Sequence, residues 1–333
     1  MQKKKNIAFL VGGYSGEFEI SLRSADYVEK QLVSEKYEFY KIVISSNAWY
    51  YLDFSGRRIM VDKDDFSILV NGDKIVFDAA FILIHGTPGE DGLIQGYLDL
   101  VGVPYPSCDR LCSTITFDKK VSNTIVGANG FSVASSILLK KNERLTLDEL
   151  LSRVSLPVFV KPNHGGSSLG TFKVVAENDL LSSIEKSFLV GDDVLVEEYI
   201  PGRELTIGVV KWKGEILTFP ITEIIAPNDF FDFEAKYTVG GCDEITPADI
   251  SPRMKLEIEE SAKSIYELFN CKGVVRVDYI WHDQKKVPFF LEVNTIPGVT
   301  KTSFIPQQLE EMNWSVKKLF IGLLDEMFDA AIK

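Results

Sequence analysis

The sequence predicts an α/β protein of two or three domains, the first built on an open parallel sheet. Three observations carry that expectation. Strand-like and helix-like segments alternate through the first third of the chain, the pattern of a parallel sheet with crossover helices. At 333 residues the chain is longer than one hydrophobic core usually organises. Hydrophobic residues at 45% and charged residues at 25% are the proportions of a soluble globular protein, which sets extensive disorder aside.

The elements follow in order. Ile7–Val11 is an apolar strand, too short for a membrane span or a signal-peptide core. The stretch from Ser21 to Lys30 has helical spacing, and Tyr37–Ile44 and Ala79–Ile84 are strands rich in aromatic and branched residues. Gly92–Val101 reads as a helix, after which Pro104 and Pro106 break the chain. A helix is expected around Phe117–Val126, ended by Gly127 and Gly130. Thr146 and Glu149 form the capping box of the next one.

Short strands at Val158–Lys161 and Phe172–Val175 bracket a glycine- and serine-rich loop. A helix at Asp179–Phe188 and the strand Val194–Glu198 complete a βαβ-rich piece of plausible domain size. Strands at Leu205–Val210 and Ile216–Phe219 come next, then an aperiodic polar stretch over 226–248. Compact domains keep loops of that length for lids or disordered segments. A helix from Pro252 to Phe269, a hairpin of strands Val274–Trp281 and Phe289–Asn294, and a C-terminal helix close the chain. The expected domains are 1–107, 108–199 and 200–333.

Charge and cysteine usage narrow the function. Lys and Arg number 36 against 48 Asp and Glu, a net charge of −12, which opposes a nucleic-acid surface but leaves room for a few basic groups around a nucleotide. Cys108, Cys112, Cys242 and Cys271, with only His85, His164 and His282, show no zinc spacing and read as reduced core residues of a cytoplasmic protein.

Four places can carry chemistry. Alternation along the 274–281 and 289–294 strands sets Arg276 with Asp278 on one face and Glu292 with Asn294 on one face. If the two faces coincide, hard oxygen ligands suited to Mg²⁺ converge beside a guanidinium; otherwise this is a solvated sheet face with an ion pair. Pro297-Gly298 directly after it favours a turn that lets backbone N–H groups approach a ligand. The loop at 163–170, preceded by Lys161, either presents donors to phosphate oxygens or is a plain flexible hairpin. It does not match a P-loop, and a strand follows it.

Glu197 and Glu198, ahead of Tyr199-Ile200, form either an adenine and ribose hinge or a solvated strand end. Gly12-Gly13-Tyr14-Ser15-Gly16-Glu17 follows the first strand without the dinucleotide spacing, and Glu17 would repel a pyrophosphate. A carboxylate there suits a cationic amine. His85-Gly86 likewise follows a strand, and either loop could simply reverse the chain.

An ordered set of motifs resembles the D-alanine–D-alanine ligases of the ATP-grasp superfamily. It comprises GGYSGEFEISL at 12–22, HGTPGEDGLIQGYLDLVGVPY at 85–105, FDK at 117–119, VKPNHGGSSLG at 160–170, VLVEEYIPGRELTI at 194–207, FEAKY at 233–237, RVDY at 276–279 and LEVNTIPGVTKTSFIP at 291–306. The resemblance implies a three-domain ATP-grasp fold and ATP-dependent joining of two D-alanines for peptidoglycan precursors. Lys119, Lys161, Ser167, Ser168 and Lys236 would hold the ATP phosphates, and Glu197, Glu198, Tyr199, Ile200 and Glu204 would frame adenine and ribose. Asp278, Glu292 and Asn294 would ligate two Mg²⁺ ions, with Mn²⁺ as a possible substitute.

Glu17 and His85 would meet the first D-alanine, Ser303 the second carboxylate, and Arg276 with the Gly298 N–H the oxyanion. Glu17, Ser167 and Tyr237 would form a hydrogen-bonded triad, Tyr237 favouring the dipeptide over a D-lactate product. A cytoplasmic homodimer is also implied, with no nucleic-acid or membrane partner. Phe18, Phe231, Glu198 and Ile296 depart from residues frequent in the family.

Overall fold

The structure, a computed structural model, describes residues 3–53, 55–143, 145–225 and 243–330. Three sheets carry it. The first has seven strands: β1 (Lys5–Gly12), β2 (Tyr37–Ile44), β3 (Trp49–Leu52), β4 (Arg58–Asp62), β5 (Ser67–Val70), β6 (Asp73–Val76) and β7 (Ala79–Ile82), in the spatial order β6-β5-β4-β3-β2-β1-β7. β1 pairs in parallel with both β2 and β7, which is the parallel sheet expected from the sequence. β1 is apolar from Ile7 to Val11 because both its faces are covered there. Ile7, Phe9 and Val11 pack towards α1 (Phe18–Glu29), while Ala8 and Leu10 pack towards α2 (Leu93–Val101).

Strands β3 to β6 were not anticipated. They extend the parallel core as an antiparallel meander, so the sheet is mixed. Each has four or five residues and exposes part of its surface, which leaves little periodicity to read. The signal that was present is Asn71-Gly72 between β5 and β6. Both residues have positive φ, 52° and 92°, the backbone that a tight hairpin turn demands.

The second segment contains α3 (Arg110–Phe117), α4 (Lys119–Ala128), β8 (Ser132–Val133), β9 (Ser136–Lys140), α5 (Leu147–Leu151), β10 (Val158–Pro162), β11 (Phe172–Val174), α6 (Glu177–Ser187) and β12 (Asp193–Glu198). The single helix expected around 117–126 is the second of two. The break falls at Asp118, which leaves helical geometry and caps α4 by accepting from the Val121 N–H at 2.9 Å. The Thr146–Glu149 capping box is present. The piece read as βαβ-rich is an antiparallel sheet, β11-β10-β12-β9. Helix α6 carries the chain across β10, so β11 and β12 run the same way without touching.

The third sheet is built from β13 (Gly202–Trp212), β14 (Glu215–Thr218), β15 (Thr222–Ile225), β16 (Asp243–Ile245), β17 (Val274–His282) and β18 (Pro288–Asn294). Its order is β16-β15-β13-β17-β18-β8, with β14 on β13. Helix α7 (Pro252–Leu268), with Pro252 at its first position and Ser251 as cap, packs Met254, Ile258, Ala262 and Ile265 against the sheet. The C-terminal helix is two helices, α8 (Phe304–Glu311) and α9 (Val316–Ala330). α9 returns to the first sheet, where Phe320 stacks on Phe81 with ring centroids 4.5 Å apart.

Trp212, at the end of β13, lies over Gly322 of α9, and a Cβ at Gly322 would sit 1.9 Å from its ring. Gly322→Ala should gain up to ~1 kcal/mol of helix propensity and lose ~1–3 kcal/mol to overpacking. The net expectation in urea denaturation is a less stable protein. An unchanged or raised midpoint would show that Trp212 moves aside without cost.

Candidate active site

The three sheets meet around one cleft of about 650 Å³. The register of β17 and β18 brings the two polar faces together. Arg276 pairs with Asn294, Val277 with Val293 and Asp278 with Glu292, so the two polar faces coincide. An irregularity between Asp278 and Tyr279 then shifts the register. Because successive side chains alternate, Val277 and Val293 point into the opposite layer with Met254 and Ile258.

The charged groups on this face are already paired. Arg276 grips Asp278 with two hydrogen bonds, Nε to Oδ1 at 2.9 Å and a terminal nitrogen to Oδ2 at 2.7 Å. The Thr206 hydroxyl, opposite Asp278 on β13, donates to Oδ1 at 2.5 Å. Lys119, at the start of α4, bonds Glu292 Oε2 at 3.1 Å and the Gly165 carbonyl at 2.8 Å. Lys161, near the end of β10, bonds Glu197 Oε1 at 2.6 Å, and Asn123 donates to the other Glu197 oxygen at 3.3 Å. Burial works against the Lys119 ammonium, but Glu292, Glu90 and Glu197 outweigh it and raise its pKa. Burial likewise opposes the Arg276 charge, and Asp278 with Glu292 raises its pKa.

The loop at 163–170 closes over the cleft from above. Gly165, Ser167 and Ser168 all have positive φ, 122°, 54° and 57°. Left-handed geometry at two successive non-glycine residues costs roughly 1–2 kcal/mol each, a cost that ordinary hairpins avoid. Its tip docks on the N-terminal loop, where the Ser167 hydroxyl donates to Glu17 Oε1. A Cβ on Gly166 would meet Glu17 Oε2 at 3.1 Å, so glycine lets the two loops approach. Glu17 itself stands at the N-terminal end of α1, just after β1.

Of the residues singled out in the sequence, Glu17, Lys119, Lys161, Ser167, Ser168, Glu197, Glu198, Tyr199, Ile200, Glu204, Asp278 and Glu292 all line the cleft. The Glu197 carboxylate is committed to Lys161 and Asn123, and Glu198 accepts from the Ser135 N–H at 3.4 Å. His85, Arg276, Asn294, Gly298 and Ser303 stand behind the lining. Lys236, Tyr237 and Phe231 lie outside the described residues.

The second rank is tied together through Ile296, one of the departures from the family pattern. Its carbonyl bonds His85 Nδ1 at 3.0 Å, and its N–H bonds Asn294 Oδ1 at 3.1 Å. Burial lowers the His85 pKa, which keeps the ring neutral, although Glu17 pulls the other way. Ser303 accepts from the Thr300 N–H at 3.0 Å, and a Cβ on Gly298 would lie 3.0 Å from its hydroxyl. Phe18, another departure, is partly buried against the first core and presses on Gly12.

The metal-binding expectation can be tested on this donor set. Asp278 and Glu292 offer hard carboxylate oxygens side by side in the cleft, and Asn294 adds an amide oxygen one alternation further on. A carboxylate accepts about four hydrogen bonds, and Asp278 uses three on Arg276 and Thr206. One acceptor position therefore remains on Asp278, and the hard oxygens of the set fit Mg²⁺ or Mn²⁺.

Sequence reasoning missed Glu90. It is buried, accepts from the Gly86 N–H at 2.7 Å and the Ile296 N–H at 3.4 Å, and joins the two loops behind the substrate side. Burial, with Glu17 nearby, pushes its pKa up to about 8. The available signal was its position, one residue beyond a glycine turn that follows a strand.

Comparison with known proteins adds independent information. Residues 6–108 match the family described as D-ala D-ala ligase N-terminus, and residues 126–325 match D-ala D-ala ligase C-terminus. The chain is 44% identical to the D-alanine--D-alanine ligase of Azobacteroides pseudotrichonymphae over 97% of its own length and 100% of that protein. Among solved structures, the VanG D-Ala:D-Ser ligase of Enterococcus faecalis aligns with a TM-score of 0.85 at 31% identity, over 97% of this chain and 99% of that one. The D-alanine--D-alanine ligase of Bacillus anthracis complexed with ATP aligns with a TM-score of 0.77 at 28% identity, over 98% of both chains.

Glu90 yields a pH signature. Its folded pKa, about 8, stands above the value of about 4.3 for an unfolded chain. The stability contributed by its neutral form is therefore complete below about pH 4 and declines as pH rises through about 8. The ligand-free protein should lose thermal midpoint between pH 5 and 8, and Glu90→Gln should flatten that slope. Parallel curves for the two proteins would remove Glu90 as its source.

Proposed function

The chain belongs to the D-alanine–D-alanine ligase family, and from that premise we propose how its own residues perform the ATP-dependent joining of two D-alanines that peptidoglycan precursors require. The observation that carries the proposal is the convergence in one cleft of the Asp278–Glu292 pair, Lys119 and Lys161, and a flap whose tip is bonded to Glu17. Phosphoryl transfer needs charge neutralisation and alignment more than covalent chemistry, and these groups supply both.

In this reading the ATP phosphates lie beneath the 163–170 flap, held by Lys119, Lys161 and the Ser167 and Ser168 region. Adenine and ribose lie against Glu198, Tyr199, Ile200 and Glu204. Lys236, which lies outside the described residues, would serve as a further cation for the γ-phosphate. Asp278, Glu292 and Asn294 would hold two Mg²⁺ ions, which would neutralise the phosphoryl charge.

Glu17 receives the ammonium of the first D-alanine, with neutral His85 and Glu90 behind it. The carboxylate oxygen of that D-alanine attacks the γ-phosphorus, an O–P bond forms, and the bond to the ADP oxygen breaks. The neutral amine of the second D-alanine, whose carboxylate lies at Ser303, then attacks the acyl carbon. Arg276 has five N–H donors and spends two on Asp278. The remainder, with the Gly298 N–H, stabilise the tetrahedral oxyanion. The C–O bond to phosphate breaks, inorganic phosphate leaves and the nitrogen gives up a proton. Flap closure keeps water from the acyl phosphate.

Among the described residues no helix is long and apolar enough to cross a membrane. The same reading places the enzyme in the cytoplasm, where its small substrates are, as a homodimer. The domains divide at 107 and 199.

The test is ADP release by purified protein with Mg²⁺ and D-alanine alone, then with D-lactate or D-serine added. D-Alanine alone should sustain turnover. Faster release with D-lactate at neutral pH would reassign the product to a depsipeptide, and faster release with D-serine would reassign it to a mixed dipeptide. Glu292→Gln should abolish turnover while leaving circular dichroism unchanged. Near-normal activity in that variant would take Glu292 out of the site.

A further inference from the structure

Three cysteines that the sequence left as core residues converge. Cys108 precedes α3, Cys112 lies in its first half, and Cys271 follows α7, 159 positions beyond Cys112. Each is buried, and their sulfur atoms lie within 4.8 Å of one another, with Cys112 and Cys271 at 3.7 Å. The Lys272 backbone N–H points at Cys108 Sγ at 3.5 Å, and the Lys272 carbonyl oxygen is also 3.5 Å from that sulfur. The surroundings are the apolar layer between α3, α7 and β17, including Val126, Tyr266 and Phe269.

We propose that Cys108, Cys112 and Cys271 form a three-thiolate site for a thiophilic divalent d¹⁰ cation of the zinc and cadmium class. The spacing is the first reason. A Zn–S distance of about 2.3 Å places tetrahedral sulfurs about 3.8 Å apart, close to the separation of Cys112 and Cys271. The ligand type is the second, since three soft sulfurs in a dry layer select soft or borderline cations over Mg²⁺.

The third reason is charge. Binding exchanges three thiol protons for one divalent cation and takes the site from neutral to a net −1, a single charge that backbone dipoles such as the Lys272 N–H can offset. The Lys272 N–H already points at Cys108 Sγ. The sulfurs come from segments far apart in sequence, so the bound ion would clasp α3 to the end of α7. The site is separate from Asp278, Glu292 and Asn294, whose oxygens bind hard ions.

The test uses Cd²⁺ on the reduced full chain, with excess Mg²⁺ present to occupy oxygen sites. The expected result is a cadmium–thiolate charge-transfer band that saturates at one ion per chain. Cys112→Ala should lose the band and Cys242→Ser should keep it, Cys242 lying outside the described residues. ¹¹³Cd NMR on the unmodified chain needs no variant and should place the resonance in the range of sulfur coordination. An oxygen-coordinated resonance alone would overturn the proposal, as would a band that survives Cys112→Ala. A Cys112–Cys271 disulfide that, once reduced, still takes up no cadmium would overturn it equally.

Discussion

The pairing of β17 with β18 is the constraint on which the site depends. Its register sets Arg276 opposite Asn294 and Asp278 opposite Glu292, so one sheet face carries every proposed metal ligand together with the oxyanion donor. A slip of one residue would send Glu292 and Asn294 into the apolar layer and bring Val293 to the cleft. That slip is opposed from the other side, because Val277 and Val293 are buried with Tyr279 and Phe290 against α7. The core therefore enforces the site through the two-residue period of the strand.

On this frame the cleft stores its charges in pairs. Lys119 rests on Glu292, Lys161 on Glu197 and Arg276 on Asp278. A buried charge without a partner is costly, so the ligand-free protein holds each cation on an acid. In the proposed function an incoming triphosphate would offer both lysines a new partner, and a metal ion would take the place of Lys119 on Glu292. Both lysines are thus held in the cleft on acids in the ligand-free protein. The flap is held by the same logic, through Ser167 on Glu17, the acid assigned to the substrate ammonium.

Much of this was legible in the sequence because it depended on short periods and local chemistry. Alternation identified the Arg276, Asp278, Glu292 and Asn294 faces, and the Thr146–Glu149 box predicted a helix start to the residue. What escaped required contacts between distant segments. The β3–β6 meander is too short and too exposed to show a pattern. Asp118 splits a helix by capping, which a periodicity count passes over. Glu90 looks like one more acid in a turn until burial and two backbone N–H groups single it out. The sulfur cluster is invisible because Cys271 lies far from its partners along the chain. Ile296 was marked as a departure, yet its backbone rather than its side chain links His85, Glu90 and Asn294.

The central claim is that this cleft activates a carboxylate by taking the γ-phosphoryl group onto one of its oxygens. Supplying D-alanine labelled with ¹⁸O in the carboxylate, together with ATP and Mg²⁺, tests that step directly. The account predicts one labelled oxygen in each molecule of inorganic phosphate released. Dipeptide formation with unlabelled phosphate would contradict it.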